Sequence, residues 1–381
     1  MSEEENLIEA EPDKVSKEKS IDPYSLEDVP GLGPVSMKAL AKEGFHTSFQ
    51  VICKNPTWLK EVTGMDRNKA ADAFQYMKSK LIDAGILNKQ EFSATELLEL
   101  REKIPRLATG CKSIDNLLDG GIESGSIYEF VGENGSGKTQ NSHNFAVQAL
   151  RPVKEGGSAE EGKELPTVIY VDTENTFRPE RIVTMLAGKG MIMDLPEKLK
   201  KKILENKVLT IDERKEYDSE KLKQKKEATK FLDQIIVQKA SDAMQQMSII
   251  QNIISLVEPM NIKLVIVDSG TALFRSGYLG RGNMKTKFDL MNEMIADLKA
   301  LAENGHIPVV FVNQIYHKPD EMYGADPDIP YGGNIIGHAI PYIIKLMKSG
   351  RQHKMWIKKS PKDDNNDCKF QIDASGIIDE K

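Results

Sequence analysis

One run, Gly132-Glu133-Asn134-Gly135-Ser136-Gly137-Lys138-Thr139, set directly after the β-rich stretch Ile127–Val131, constrains this chain more than any other feature. A strand, a glycine-rich turn and a helix start in that order let successive backbone N–H groups curl around one phosphate. Lys138 then stands where it neutralises β/γ-phosphate charge, and the Thr139 hydroxyl where it can ligate Mg²⁺, with Gln140 following in the new helix. A glycine-rich turn that merely happens to end in Lys-Thr is the competing explanation, and the complete spacing in a strand-to-helix setting weighs against it. The expected cofactors are a nucleoside triphosphate and Mg²⁺.

A phosphate loop needs an acid to hold the metal. Ile262-Lys263-Leu264-Val265-Ile266-Val267-Asp268-Ser269 reads as a buried strand ending in Asp268, the place such an acid takes. The alternative is an ordinary strand-terminal aspartate. Tyr170-Val171-Asp172-Thr173-Glu174 ends another strand, and Glu174 is the candidate for orienting and polarising water. Spacing alone leaves that role level with a plain exposed loop carboxylate.

Around these motifs the chain divides by pattern. Residues 1–24 form an acidic tail without apolar periodicity, the composition of a disordered segment. A short helical domain spans 25–87, with a Pro30-Gly31-Leu32-Gly33 turn and a weaker copy at Val62-Thr63-Gly64-Met65. Residues 88–105 read as a linker with one short helix. From 106 to 381, β-rich runs alternate with helical ones, which predicts an α/β fold with a largely parallel sheet covered on both faces. The Lys- and Glu-rich stretch of about 197–230 reads as a solvated helical or mobile insertion within it.

Charge adds a warning. With 52 Lys+Arg against 58 Asp+Glu the net charge is −6, which gives no global electrostatic case for nucleic acid. Locally, residues 345–362 carry seven Lys+Arg and no acid, a candidate basic surface for phosphate contact. The three cysteines, Cys53, Cys111 and Cys368, are scattered and odd in number, against a disulfide scaffold or a zinc site. No apolar run reaches membrane-spanning length and no amino-terminal signal is evident, so the expectation is a soluble protein without a membrane partner.

In order, Gly132–Gln140, the block Tyr170-Val171-Asp172-Thr173-Glu174-Asn175-Thr176-Phe177-Arg178-Pro179-Glu180-Arg181-Ile182, Leu264–Ser269, Asn313-Gln314 and Gly332-Gly333 resemble the RecA-like recombinases, most of all the archaeal RadA branch and its eukaryotic relatives. The resemblance runs from about Leu26 to Ile377, leaving out the insertion. It implies a RecA-like P-loop ATPase core behind a small all-α helix-hairpin-helix domain. Glu174 takes the place of the family's catalytic glutamate, Arg181 of an arginine packed on the adenine, and Gln314 of a glutamine that senses the γ-phosphate. Two loops would grip DNA: about Arg275–Phe288, with Arg281, Lys285 and Lys287, and about Tyr316–Gly333, with Lys318 its only basic residue and four acids against it. Gly31, Leu32 and Gly33 would offer backbone N–H groups to a DNA phosphate, against the reading of a purely structural turn.

The pattern is broken in places. Asn175 stands where glycine is usual. The polymerisation motif Phe-x-x-Ala appears only as Phe92-Ser93-Ala94, which leaves Phe92 and Ala94 as subunit-anchor candidates. The carboxy-terminal cap over ATP, usually Asp-Ala-Pro or Asp-Ser-Pro, reads Lys359-Ser360-Pro361, so Lys359 either supplies a cation in trans to the γ-phosphate or marks a lost contact. His338 matches a histidine near the second loop. The function implied is DNA repair and homologous recombination: an ATP-dependent recombinase forming helical filaments on single-stranded DNA and exchanging strands with duplex, cytoplasmic and nucleoid-associated. Other recombination proteins are candidate partners. A divergent paralogue that regulates another recombinase is the alternative, and a hexameric helicase or signalling ATPase a third.

Overall fold

A computed structural model of the chain describes residues 22–89, 91–277, 284–317, 328–350, 352–362 and 366–380. They fall into two units, Met1–Asn88 and Lys89–Lys381. In the first, helices α1 (Pro34–Lys42), α2 (Ser48–Ile52), α3 (Pro56–Thr63) and α4 (Arg67–Asp83) bury Leu40, Phe49, Leu59, Ala73, Met77 and Leu81. Their boundaries are locally encoded. Thr47 and Gln50 close a capping box on α2, Asn55 and Asp66 cap α3 and α4, and Gly64 ends α3 in the left-handed region.

The turn before α1 has Gly31 at φ +84, where a Cβ would also meet Met65 Cε at 3.1 Å. Leu32 buries its side chain and donates its N–H to Val29 O at 3.1 Å. Its own N–H is thus paired within the turn, which it helps to hold in shape. Gly33 caps α1 without a side-chain bond.

The second unit begins with α5 (Ala94–Glu102). The stretch expected to be a linker is tied to the core here, because Arg101 Nη2 donates to both carboxylate oxygens of buried Glu123 at 3.2 Å and Arg106 adds a contact at 2.8 Å. Then come β1 (Arg106–Leu107), α6 (Lys112–Leu117), β2 (Ile122–Glu123), β3 (Ile127–Gly132), α7 (Lys138–Ala149), β4 (Thr167–Asp172) and α8 (Pro179–Gly188). The charged stretch forms α9 (Glu197–Leu204) and α10 (Ile211–Leu232), followed by β5 (Ile235–Lys239), α11 (Ala243–Leu256), β6 (Ile262–Asp268) and α12 (Ala272–Gly277). The chain finishes with α13 (Met284–Gly305), β7 (Val309–His317), β8 (Asp328–Pro330), α14 (Gly333–Ala339), β9 (Tyr342–Ser349), β10 (Gln352–Lys359), β11 (Asp367–Asp373) and β12 (Gly376–Asp379). α10 packs on α8 through its buried Gln224, Ala228 and Phe231, and starts from a Thr210–Glu213 capping box.

Among the described residues one ten-stranded sheet runs β12-β11-β10-β9-β3-β7-β6-β4-β5, with β8 paired to β7. The strands from β9 to β5 are parallel, and β10 to β12 extend the sheet antiparallel. β3, β4 and β6 are buried nearly throughout, which is why they read as continuous apolar runs. Register brings Gly132 opposite Gln314 and Asp172 opposite Asp268, so the motifs converge at the carboxyl edge of the parallel strands.

The run of cations at 345–362 does not form one basic surface. Lys345 is buried over Trp356, Lys354 pairs with Asp367 at 3.1 Å and Lys362 with Asp119 at 2.8 Å. Lys345 stands opposite Trp356 and so shares a face with Lys354, whereas Lys348 stands opposite His353 on the other face, and Arg351 lies outside the described residues.

Candidate active site

The carboxyl ends of β3, β4, β6 and β7 open into one cleft lined by Asn134, Gly135, Gly137, Lys138, Thr139, Gln140, Glu174, Asp268 and Gln314. Steric exclusion shapes its floor: a Cβ on Gly132 would lie 2.4 Å from Leu346 O, and Gly137 holds φ +101. Lys138 Nζ donates to Gly132 O and Glu133 O at 2.7 and 2.8 Å. Burial pulls the lysine below its usual pKa, while Asp268, Glu174 and Glu133 oppose that shift. Beside it, buried Ser136 Oγ has no hydrogen-bond partner among the described residues. A curled glycine loop, an ammonium resting on that loop's own carbonyls and an unpartnered hydroxyl fit a phosphate chain.

Asp268 is 3% exposed and accepts the Tyr170 hydroxyl at 2.8 Å. Burial pushes its carboxyl up to about 6, against hydrogen bonds from Tyr170 and Thr139. A carboxylate so poorly solvated, next to the Thr139 hydroxyl, is a donor pair that suits Mg²⁺, because the cation's charge would keep it ionised.

Asp172 shapes the turn that carries Glu174. Its carboxylate accepts the N–H groups of Glu174, Thr176 and Phe177 at 3.3, 3.1 and 3.1 Å. Asn175 sits at φ +54 and its Oδ1 accepts Lys239 Nζ at 2.8 Å. Asparagine is among the few side chains that tolerate this conformation, so the change from glycine leaves the turn intact.

Glu174 Oε1 accepts Gln314 Nε2 at 3.0 Å, and Gln314 Oε1 in turn accepts from Arg275 Nη1. One amide thus touches the candidate catalytic acid with one end and α12, where the first loop starts, with the other. Nothing in the spacing singled out Arg275. Arg181 is held by Gln140 Oε1 at 2.7 Å and by the carbonyls of Asp373 and Ala374 at 2.5 and 2.8 Å, which fix its guanidinium beside α7.

The remaining candidates lie elsewhere. Arg281 and Lys318 fall outside the described residues, as does the side chain of Lys285. Lys287 is half-buried with its ammonium 4.6 Å from the centre of the Tyr331 ring. Lys359 Nζ donates to Gly337 O and Ile340 O at 2.7 and 2.8 Å, a cation on the carboxyl end of α14, where exposed His338 also lies. Phe92 precedes the Ser93–Glu96 capping box of α5 and carries Lys89 Nζ 5.2 Å over its ring, while Ala94 is the exposed first residue of that helix. α5 buries none of its residues and leaves Leu97 and Leu98 44% and 59% exposed.

The Rad51 family model matches residues 100–216 and 195–380. The DNA repair and recombination protein RadA of Cenarchaeum symbiosum (strain A) is 32% identical over 361 residues, 94% of this chain and 80% of that protein. The chain belongs to the Rad51 family. The two matched stretches break and overlap within the charged α9–α10 segment, at residues 195–216. Rad51-type proteins are DNA-dependent ATPases of the RecA-like class, and likeness to a recombinase along nearly the whole chain favours that function over a regulatory paralogue. Among the described residues no helix is long and apolar enough to cross a membrane.

Proposed function

We propose that this Rad51-family chain binds ATP and Mg²⁺ in the cleft at the carboxyl edge of β3 and β6, assembles as a helical filament on single-stranded DNA and exchanges strands with homologous duplex. The observation that carries this reading is the line Glu174–Gln314–Arg275, which runs from the phosphate cleft to the start of a candidate DNA loop. In it Gly132, Glu133, Asn134, Gly135, Ser136 and Gly137 wrap the phosphates, Lys138 neutralises them, and Thr139 and Asp268 hold the cation. Mg²⁺, when bound, supplies charge neutralisation on the phosphate oxygens. Glu174 orients and accepts a proton from water, Gln314 positions Glu174 according to what lies beyond it, and Arg181 presents its flat cation to the adenine. Lys287, Arg281, Lys285, Lys318 and the Gly31–Gly33 turn contact phosphates without reading sequence.

Filament growth requires a head-to-tail contact that does not close. Phe92, Ala94 and the unburied apolar face of α5 supply one side. β5 ends the sheet among the described residues, and an open sheet edge is a surface on which an extended segment of a second copy adds. Electron microscopy with ATP and single-stranded DNA is expected to show helical filaments, and joint molecules are expected without a helper protein. Phe92→Glu should abolish both while leaving the circular dichroism spectrum unchanged; rings in place of filaments, or no joint molecules from the wild type, reject the recombinase reading.

Lys359 is proposed to serve the neighbouring subunit's γ-phosphate from its seat on α14. Lys359→Ala is expected to lower DNA-stimulated turnover roughly tenfold or more, as loss of a trans-acting cation does. Unchanged turnover leaves it only a helix cap.

A further inference from the structure

The side of β3 opposite the main core carries Glu129, which is fully buried. Its Oε1 accepts Asn313 Nδ2 at 2.6 Å, and its Oε2 is buried with no partner among the described residues. The same Asn313 amide group reaches two further segments. Nδ2 donates to Tyr331 O at 2.8 Å, where the chain returns from the second loop into α14, and Oδ1 accepts Thr271 Oγ1 at 2.6 Å, where the chain leaves β6 toward the first loop. Oδ1 also accepts the N–H of Gln314 at 2.8 Å, the residue that touches Glu174. A buried acid on a central strand is costly and is kept only where its bonds hold something in place.

We propose that Glu129, Asn313 and Thr271 are positioning residues that tie the ends of both candidate DNA loops to the phosphate-loop strand and to Gln314, so that DNA on the loops sets the register of Gln314 on Glu174. This relay rests on the recombinase reading for its outcome and on the hydrogen bonds of Asn313 for its geometry. Each member has a distinct task. Glu129 anchors Asn313 to β3, three residues before Gly132. Asn313 uses both ends of its amide, so neither Asp nor Leu can replace it. Thr271 brings in the segment that carries Arg275.

The ionisation of Glu129 gives a second handle. Burial pushes its carboxyl up to about 7, against the Asn313 bond and the positive charges of Lys359 and Lys358 on β10. A proton on Oε2 removes the buried charge while Oε1 still accepts from Asn313. Because the folded-state pKa lies above the unfolded one, the stability that Glu129 contributes is fully present at acid pH and is lost as pH rises through about 7.

The experiment compares Glu129→Met, Glu129→Gln and Thr271→Val in the full chain. Glu129→Met, which cannot accept from Asn313, is expected to lose DNA stimulation of ATP hydrolysis at least tenfold while hydrolysis without DNA stays within about threefold of wild type. Glu129→Gln keeps the acceptor and should restore stimulation, while removing the fall in melting temperature between pH 6 and pH 8. Thr271→Val should act in the same direction as Glu129→Met, and adding it to Glu129→Met should cost little more. Stimulation retained by Glu129→Met, or not restored by Gln, overturns the proposal; if Glu129→Met does not fold, Thr271→Val decides alone. Hydrogen exchange without DNA tests the same tie independently. Residues 271–277 and 331–340 should both exchange faster in Thr271→Val, and unaltered exchange at 331–340 rejects the tie. Should the wild type show no DNA stimulation, the recombinase reading fails and the exchange measurement still tests the relay.

Discussion

Glu174→Gln is expected to hydrolyse ATP about 10²–10⁴-fold more slowly in the presence of DNA, the usual contribution of a positioned general base. The glutamine keeps the carbonyl oxygen that accepts Gln314 Nε2 in the native protein, and the turn that presents it is set by the Asp172 carboxylate rather than by the side chain itself. Geometry therefore survives and basicity alone is lost. Nucleotide affinity, read by titration of a fluorescent ATP analogue, should stay within a few-fold of wild type, because Glu174 touches none of the loop carbonyls that hold Lys138. Filaments should still form and should be longer-lived, since ATP favours the DNA-gripping state until it is consumed. Turnover within tenfold of wild type would place the water-activating group elsewhere and reduce Glu174 to the exposed loop carboxylate that its spacing equally allows.

The parts of the site that are legible in the sequence are those whose chemistry is confined to a few adjacent residues. Glycines in the phosphate loop, the acid at the end of β6 and the block around Glu174 are local, and the strands behind them read as apolar runs because both faces are buried. What spacing does not show are contacts closed only by sheet order. Arg275 meets Gln314 because the end of β6 lies beside β7, and Glu129 meets Asn313 because β3 lies on the other side of β7. A buried Glu inside the run Ile127–Val131 is the one local signal of that network, an acid where a strand should be apolar. The basic run at 345–362 misleads for the same reason in reverse. Cations close in sequence, such as Lys345 and Lys348, fall on opposite faces of the sheet, and partners such as Asp367 and Asp119 arrive from elsewhere in the chain.

Lys138→Ala is expected to erase the stabilisation that ATP and Mg²⁺ confer. Ligand at a hundredfold excess over its dissociation constant stabilises a protein by about 2.7 kcal/mol, and for a domain approaching this size that corresponds to a shift of roughly 5–10 °C in Tm. The variant should show almost none of it, together with no detectable DNA-stimulated hydrolysis. Without nucleotide the two proteins should melt within a few degrees of each other. The ammonium is partly desolvated and rests on two loop carbonyls, so its loss removes two hydrogen bonds and relieves a burial cost at once. Lys138→Arg separates charge from shape. Its guanidinium keeps the positive charge but spreads it over a planar fork in place of the compact ammonium that meets Gly132 O and Glu133 O, so part of the thermal shift should return while hydrolysis stays lost. A full ATP-dependent shift in Lys138→Ala would mean that nucleotide is held outside the cleft formed by β3, β4, β6 and β7, and the assignments of Thr139, Asp268 and Glu174 would fall with it.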